Sequence, residues 1–206
     1  RSVRRVIALN GSVFTEWKHD SLDARIFRWV VRRANVITCV GPKHREALLA
    51  LGVPGPKIQI VPNVCEYAGV LESTVCEKQA KSEPVELLFL SSLTDTKGYP
   101  EYLEALERIA EQPGQPIHAV LCGPITAGAY RRRFKTVEAA QYWIEAICRR
   151  INQSDRVQVE WIPGASGAAK AALYEKAQIF VLPTYYPVEA QPLVVLEAMA
   201  HGCAIV

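Results

Sequence analysis

The sequence has no long apolar run. No stretch approaches the roughly 18 apolar residues that a membrane-spanning helix needs, and no signal-peptide pattern opens the chain. The six cysteines, at 39, 65, 76, 122, 148 and 203, are scattered and include no C-x-x-C pair. That pattern argues for reduced thiols in a cytosolic protein rather than a disulfide framework or a zinc site. No G-x-G-x-x-G follows any strand-like run, and GPITAG (123–128) has the wrong spacing, so a nicotinamide dinucleotide site is disfavoured. A P-loop is absent, as are internal repeats and low-complexity tracts. Basic tracts such as RRRFK (131–135) are short and lack the interleaved aromatics of a nucleic-acid face, so no nucleic-acid partner is expected. His19, His44, His118 and His201 show no pairing that points to a metal or to acid–base work, and His118 is expected as a hydrogen-bonded core residue.

What is present is ordinary globular composition in an uneven layout. Half of the 206 residues are apolar and 22% are charged, enough to bury a core. Residues 1–70 hold 11 Lys and Arg against 5 Asp and Glu, a net of +6, while 71–206 hold 13 against 16, a net of −3. Short β-branched runs alternate with helical ones: RRVIAL (4–9), VITCV (36–40), KIQIV (57–61), VELLFL (85–90), IHAVLC (117–122), RVQVEWI (156–162), IFVL (179–182) and the terminal AIV. Such alternation predicts parallel sheets with crossover helices, an α/β fold of two Rossmann-like doubly wound domains. The polar, aperiodic stretch 71–84 reads as a linker between a first domain at 1–70 and a second at 85–206. In the helix at 21–34, Leu22, Ile26, Trp29 and Val30 recur at helical spacing and read as its core-facing stripe. Beside them lie Arg25, Arg28, Arg32 and Arg33, a mix also found in helices that rest on membranes.

In this architecture ligands bind beyond the carboxyl ends of the strands, which here end in SSLTDTKG (91–98), GP (123–124), PGASG (163–167) and PTYYPVEAQP (183–192). Pro192 suits a first helical position, so the amides after it offer unpaired donors to a phosphate. Glu197 then lies five residues in, roughly 7–8 Å along the axis, the height at which a ribose would follow an anchored diphosphate. One carboxylate can accept from both ribose hydroxyls. Glu189, in the loop before, would lie on the other side of the phosphates. Lys97, in a strand-to-helix loop, is placed to neutralise a departing phosphate. Each also has a plainer reading: Glu197 on a solvent stripe, Glu189 opening a turn, Lys97 a solvated loop lysine.

Three segments carry a resemblance. EAQPLVVLEAMAHG spaces Glu189 and Glu197 as E-x7-E, Lys97-Gly98 follow the first strand of the second domain, and AQIFVLPTYYPVE leads into the motif. Together they resemble the donor-binding domain of family 4 glycosyltransferases of the two-Rossmann (GT-B) type. ANVITCVGPKHREALLALGVPGPKIQIVPN is similar to the segment closing that family's N-terminal domain. The likeness implies transfer of a sugar from a nucleotide-diphosphate sugar to an acceptor hydroxyl, with retention and without a metal or other cofactor. No D-x-D motif is present to hold a metal. It implies Glu197 as ribose holder, Glu189 as a contact to donor-sugar hydroxyls, and Lys97 as the group stabilising the diphosphate. Backbone amides of Gln191 and Leu193 would face the phosphate or sugar, with Ser92, Gly123 and Ala190 lining the donor. The implied acceptor is a glycan or a lipid-linked glycan; the scattered thiols point to the cytoplasm, and the basic helix at 21–34 offers contact with the inner face of the membrane as the alternative to a core-packing role.

The chain departs from the pattern in places. Ser91-Ser92-Leu93 stand where the family has G-R-L, Ala190 where it has glycine, and Asn10-Gly11 where it has His-Gly beside the donor sugar. These departures keep a catalytically silent nucleotide-binding module in view, as well as an epimerase or phosphorylase of the same architecture. Substituting Glu189 in an active parent separates transfer from mere nucleotide affinity. The start at Arg1 and the stop within a β-type run at Val206 lead to the expectation of a fragment, with both domains incomplete and transfer weak by itself.

Overall fold

A computed structural model describes residues 4–18, 20–80, 83–126 and 133–206. His19, the 81–82 pair in the expected linker, the end of GPITAG (127–128) and the start of RRRFK (131–132) lie outside the described residues. The chain divides into two compact units, Arg1–Val64 with Pro187–Leu193, and Cys65–Tyr186 with Val194–Val206.

The first unit holds a three-stranded parallel sheet in the order β1 (Val6–Leu9), β2 (Val36–Cys39), β3 (Ile58–Ile60). The crossovers are α1 (Leu22–Val31) and α2 (Pro42–Ala50). Ser21 starts α1 by accepting the Ala24 amide on its hydroxyl at 3.2 Å, which satisfies one of the unpaired first-turn donors. Pro42 starts α2, where its missing N–H costs nothing. The core gathers Phe14, Ile37, Leu48, Leu51 and Ile58.

α1 does not use the stripe expected of it. Its buried residues are Ala24 and Val31, with Phe27 packed against the same core. Leu22, Ile26, Trp29 and Val30 are exposed. At 100° per residue Ala24 and Val31 lie about 20° apart, with Phe27 at their edge, and this stripe faces away from Leu22, Ile26 and Trp29. Helical spacing alone could not say which of two apolar stripes meets the sheet.

The second unit is a five-stranded parallel sheet in the order β6 (Val157–Ile162), β5 (Ile117–Cys122), β4 (Val85–Leu90), β7 (Ile179–Phe180), β8 (Ala204–Ile205). Its inner strands read as near-continuous apolar runs because both faces are covered: Leu88, Phe89, Ala119 and Leu121 are fully buried. The helices are α3 (Glu72–Gln79), α4 (Tyr99–Ala110), α5 (Val137–Ile151), α6 (Gly167–Lys176) and α7 (Leu193–Ala200). Thr136 caps α5 by accepting the Ala139 amide at 3.1 Å, and Arg149 and Arg150 oppose the dipole in its last turn. The fold is thus α/β with parallel sheets in both units, as the alternation predicts.

Residues 65–84 differ from the expected domain end and linker. The Val70 amide donates to the Ala200 carbonyl at 3.0 Å, and α3 packs within the second unit through Lys78 and Gln79, whose carboxamide donates to the carbonyls of Gln178 (3.0 Å) and Gly202 (3.2 Å). Lys78, 6% exposed, donates to the carbonyls of Tyr174 (2.7 Å) and His201 (2.8 Å) and meets the Cys203 sulfur at 3.4 Å. An ammonium has three N–H donors and here finds three acceptors. Two are carbonyls at the carboxyl ends of α6 and α7, which have no helical partner and carry the negative end of the dipole. Lys78→Met is expected to lower unfolding free energy by about 3 kcal/mol, because it leaves buried carbonyls unpaired. Urea denaturation measures this, and a midpoint equal to that of the unsubstituted chain would show that α3 is not held by this contact.

His118 is not the core residue expected. It is half-buried, and its Nδ1 lies 2.7 Å from Glu86, whose carboxylate also meets Lys176 at 3.2 Å. All six cysteines are free thiols. Burial raises the thiols of Cys39, Cys122 and Cys203 above their ordinary range, and that of Cys148 to about 11, so they stay protonated. No helix among the described residues is long and apolar enough to cross a membrane.

Candidate donor site

The loop after β4 is built around a buried carboxylate. Asp95, 2% exposed, accepts the amides of Arg133 (2.6 Å) and Phe134 (3.3 Å) on one oxygen and the Tyr99 hydroxyl (3.3 Å) on the other. The Lys97 and Gly98 amides close a tight turn onto Thr94 and Asp95. The turn is pinned to the segment after β7: the Tyr185 amide donates to the Thr96 carbonyl at 2.9 Å, and the Thr184 hydroxyl reaches it at 3.4 Å. Lys97 Nζ then lies 4.6 Å from the Tyr186 ring centroid. Lys97 is therefore carried beside a segment 89 residues away in sequence, three residues before Glu189. In the sequence, a carboxylate in TDTKG is indistinguishable from a solvated turn residue.

Gly123 closes the neighbouring strand end. Its φ is +149°, and a β-carbon there would stand within 1.8 Å of the Ser91 carbonyl oxygen. No other residue fits so near the Ser91-Ser92 backbone. The two loops continue side by side: the Leu93 amide donates to the Pro124 carbonyl at 2.8 Å, and the Thr94 and Thr126 hydroxyls meet at 2.7 Å. Ser92 is exposed.

Helix α7 starts at Leu193, so Pro192 stands just before it rather than inside. Glu197 is the fifth residue, and neither sequence reading of its surroundings is complete. Its side chain is 14% exposed. Lys170 approaches both its oxygens, at 2.8 and 2.6 Å, and the Tyr174 hydroxyl donates to one of them at 2.8 Å. Burial, then the acceptor role of Glu197, push the Tyr174 phenol far up, so it remains a donor. The Glu197 carbonyl also meets His201 Nδ1 at 2.8 Å, and the His201 ring stacks on Tyr174. A helical i to i+4 pattern would not reveal Lys170 or Tyr174, which come from α6.

The first unit holds Glu189, Ala190, Gln191 and Leu193 of the candidate set, with Asn10 and Gly11. Asn10 and Gly11 are exposed at the end of β1, and Leu193 is exposed too. Glu189 and Ala190 line a cavity of about 680 Å³ whose other walls include Ser12, Thr15, Gly41, Lys43 and His44. Asn63 pairs twice with Gln191: its amide donates to the Gln191 side-chain oxygen at 2.7 Å and its carboxamide to the Gln191 carbonyl at 2.9 Å. Ser12 and His44 are buried with Oγ and Nε2 at 2.9 Å, while His44 Nδ1 has no partner. Burial holds the His44 imidazole below its ordinary pKa, which favours the neutral ring. This pair joins positions 32 residues apart, and scanning histidines along the chain could not find it.

Among the described residues no group of three or more His, Cys, Asp and Glu side chains is arranged to hold a metal ion. The second unit thus presents loops of a parallel α/β sheet with glycine-dependent backbone approach, a lysine and a helix-borne carboxylate at one set of strand ends, the layout of a nucleotide-binding class. Residues 74–206, more than half of the chain, match the family model described as Glycosyl transferases group 1, and the chain belongs to that family.

Solved structures agree on the fold. Anabaena Alr3699/HepE in complex with UDP is 15% identical with a TM-score of 0.66, covering 98% of this chain and 52% of that one. A glycosyltransferase from Rickettsia africae ESF-5 is 14% identical with a TM-score of 0.63, covering 97% and 50%. A UDP-forming α,α-trehalose-phosphate synthase from Burkholderia vietnamiensis is 15% identical with a TM-score of 0.58, covering 96% and 51%. The fold is that of the Rossmann-like GT-B type, and the chain spans about half the length of these structures. No curated protein matches by sequence.

Proposed function

We propose that this chain belongs to a retaining, metal-independent glycosyltransferase of family 4, moving a sugar from a nucleotide-diphosphate sugar to an acceptor hydroxyl. The acceptor is a glycan or a lipid-linked glycan, and the enzyme works in the cytoplasm at the inner face of the membrane. The reading rests on one observation above the others: the turn that carries Lys97 is pinned to the segment leading into Glu189. In the reaction the bond from the sugar C1 to the diphosphate breaks with its electron pair going to the diphosphate, the acceptor oxygen takes its place on C1, and the acceptor's hydroxyl proton passes to the departing diphosphate oxygen. Lys97 stabilises the charge that develops on the leaving group, Glu189 holds donor-sugar hydroxyls, and Glu197 holds the ribose. Ser92, Gly123, Ala190 and the Gln191 and Leu193 amides line the donor, with Asn10 and Gly11 towards the acceptor. The names of structural neighbours include UDP and UDP-forming enzymes, so UDP is the first nucleotide to try.

Calorimetric titration of UDP, GDP and ADP into this chain, with and without EDTA, tests the reading. One nucleotide is expected to bind, unchanged by the chelator, and Lys97→Ala is expected to weaken it about tenfold through the loss of a charge-assisted phosphate contact. A folded chain that binds none of the three would reject the donor site. The silent nucleotide-binding module would fall with it, since that reading also requires a nucleotide to bind.

A further inference from the structure

α1 carries two apolar faces, and only one of them is used. Ala24, Phe27 and Val31 meet the core, while Leu22 (69% exposed), Ile26 (54%) and Trp29 (59%) form an outward ridge at i, i+4 and i+7, with Arg33 just past the helix end beside Trp29. At 100° per residue that ridge spans about 60° and points away from the core. Arg25 and Arg32 flank it on one side, and Val30 (40% exposed) with Asp23 on the other. Asp23 is the one acidic residue in the helix, and it sits on the flank opposite the arginines.

The ridge is paired with a cationic hollow. One indentation of about 510 Å³ is lined by Leu22, Arg25, Ile26 and Trp29, and a second of about 500 Å³ by Arg25, Arg28, Trp29, Arg32 and Arg33. Trp29 lines both. The Arg33 guanidinium lies over its indole at 3.7 Å from the ring centroid and donates to its carbonyl at 2.8 Å. An indole between an apolar and a cationic surface is the arrangement favoured at the boundary of a bilayer, where one edge is greasy and the other wet.

We propose that the outward face of α1 is a docking surface for an anionic lipid bilayer, with lipid phosphates seated in the arginine hollow and Leu22, Ile26 and Trp29 entering the headgroup layer. Charge decides the occupant. A second copy of this chain, docking symmetrically, would bring the arginines of one ridge against those of the other. An apolar protein segment covering the ridge would bury arginines without partners. A lipid surface supplies phosphates to the cations and an apolar layer to the ridge at once. The inference stands on α1 alone and does not depend on the donor site.

Sedimentation of the chain with vesicles of phosphatidylcholine, and of phosphatidylcholine mixed with phosphatidylglycerol, tests it. The bound fraction is expected to rise with phosphatidylglycerol and fall with salt, accompanied by a blue shift of indole emission that Trp29→Phe removes. Arg25→Gln with Arg32→Gln is expected to weaken binding about tenfold or more, and Ile26→Glu with Trp29→Glu to abolish it. These side chains are solvent-exposed, so far-UV circular dichroism should stay unchanged and a loss of binding is not a loss of fold. Equal binding to both vesicle types, or none to either, overturns the proposal. So does a dimer in light scattering that Ile26→Glu converts to a monomer, since the occupant would then be a second copy.

Discussion

Gly98→Ala should unfold the second unit at far lower urea than the unsubstituted chain, with a loss of about 4 kcal/mol or more. Gly98 has φ +84°, the left-handed region that residues with a β-carbon occupy only at a cost. Space adds a second penalty. A β-carbon at Gly98 would stand within 2.3 Å of the Pro183 carbonyl oxygen and 2.8 Å of its carbonyl carbon, and backbone cannot swing aside as a flexible side chain can. Relief would require the Thr94–Gly98 turn to separate from residues 183–186. That movement breaks the Tyr185 to Thr96 hydrogen bond and carries Lys97 off the Tyr186 ring. It also disturbs Tyr99 and Asp95, both buried beneath the turn. The substitution should therefore remove nucleotide affinity together with stability. A variant with an unchanged urea midpoint would mean that the turn and the Pro183 segment are not in contact.

The alternation of strands and helices, and most of their bounds, could be read directly. VELLFL and IHAVLC match β4 and β5 residue for residue, because parallel strands buried on both faces leave a near-continuous apolar run, interrupted here only by Glu86 and His118. What was hidden depended on pairs distant in sequence. The stretch 71–84 reads as a linker because α3 is polar, and its ties to the second unit are Lys78 and Gln79, whose acceptors lie 96 to 125 residues away. α1 offered two stripes to a 3.6-residue period, and the sheet took the smaller residues, Ala24 and Val31, which allow close approach. In the site, the spacing of Glu189 and Glu197 and the Lys97-Gly98 pair were visible. Asp95, Lys170, Tyr174 and the Ser12–His44 pair were not, since each acts through a partner on another element.

That hidden pairing shapes the test of Glu197. A carboxylate offers about four acceptor sites. Lys170 takes one on each oxygen and Tyr174 takes a third, which leaves one for a ribose that would present two hydroxyls. If Glu197 holds the ribose, Lys170 must yield a position when nucleotide binds. Glu197→Ala should then weaken nucleotide binding about 100-fold, some 2.7 kcal/mol. It would also leave Lys170 and Tyr174 without their partner, so a loss in that variant alone could reflect a disturbed fold. Lys170→Met with Tyr174→Phe separates the two causes, because it frees the carboxylate and leaves it in place. A ribose-holding Glu197 predicts that this double variant binds nucleotide at least as tightly as the unsubstituted chain, while its urea midpoint falls. A purely structural Glu197 predicts that both variants lose stability and that the double variant also loses affinity. Calorimetry beside urea denaturation distinguishes these outcomes, and equal nucleotide affinity in Glu197→Ala and the unsubstituted chain would remove the ribose role altogether.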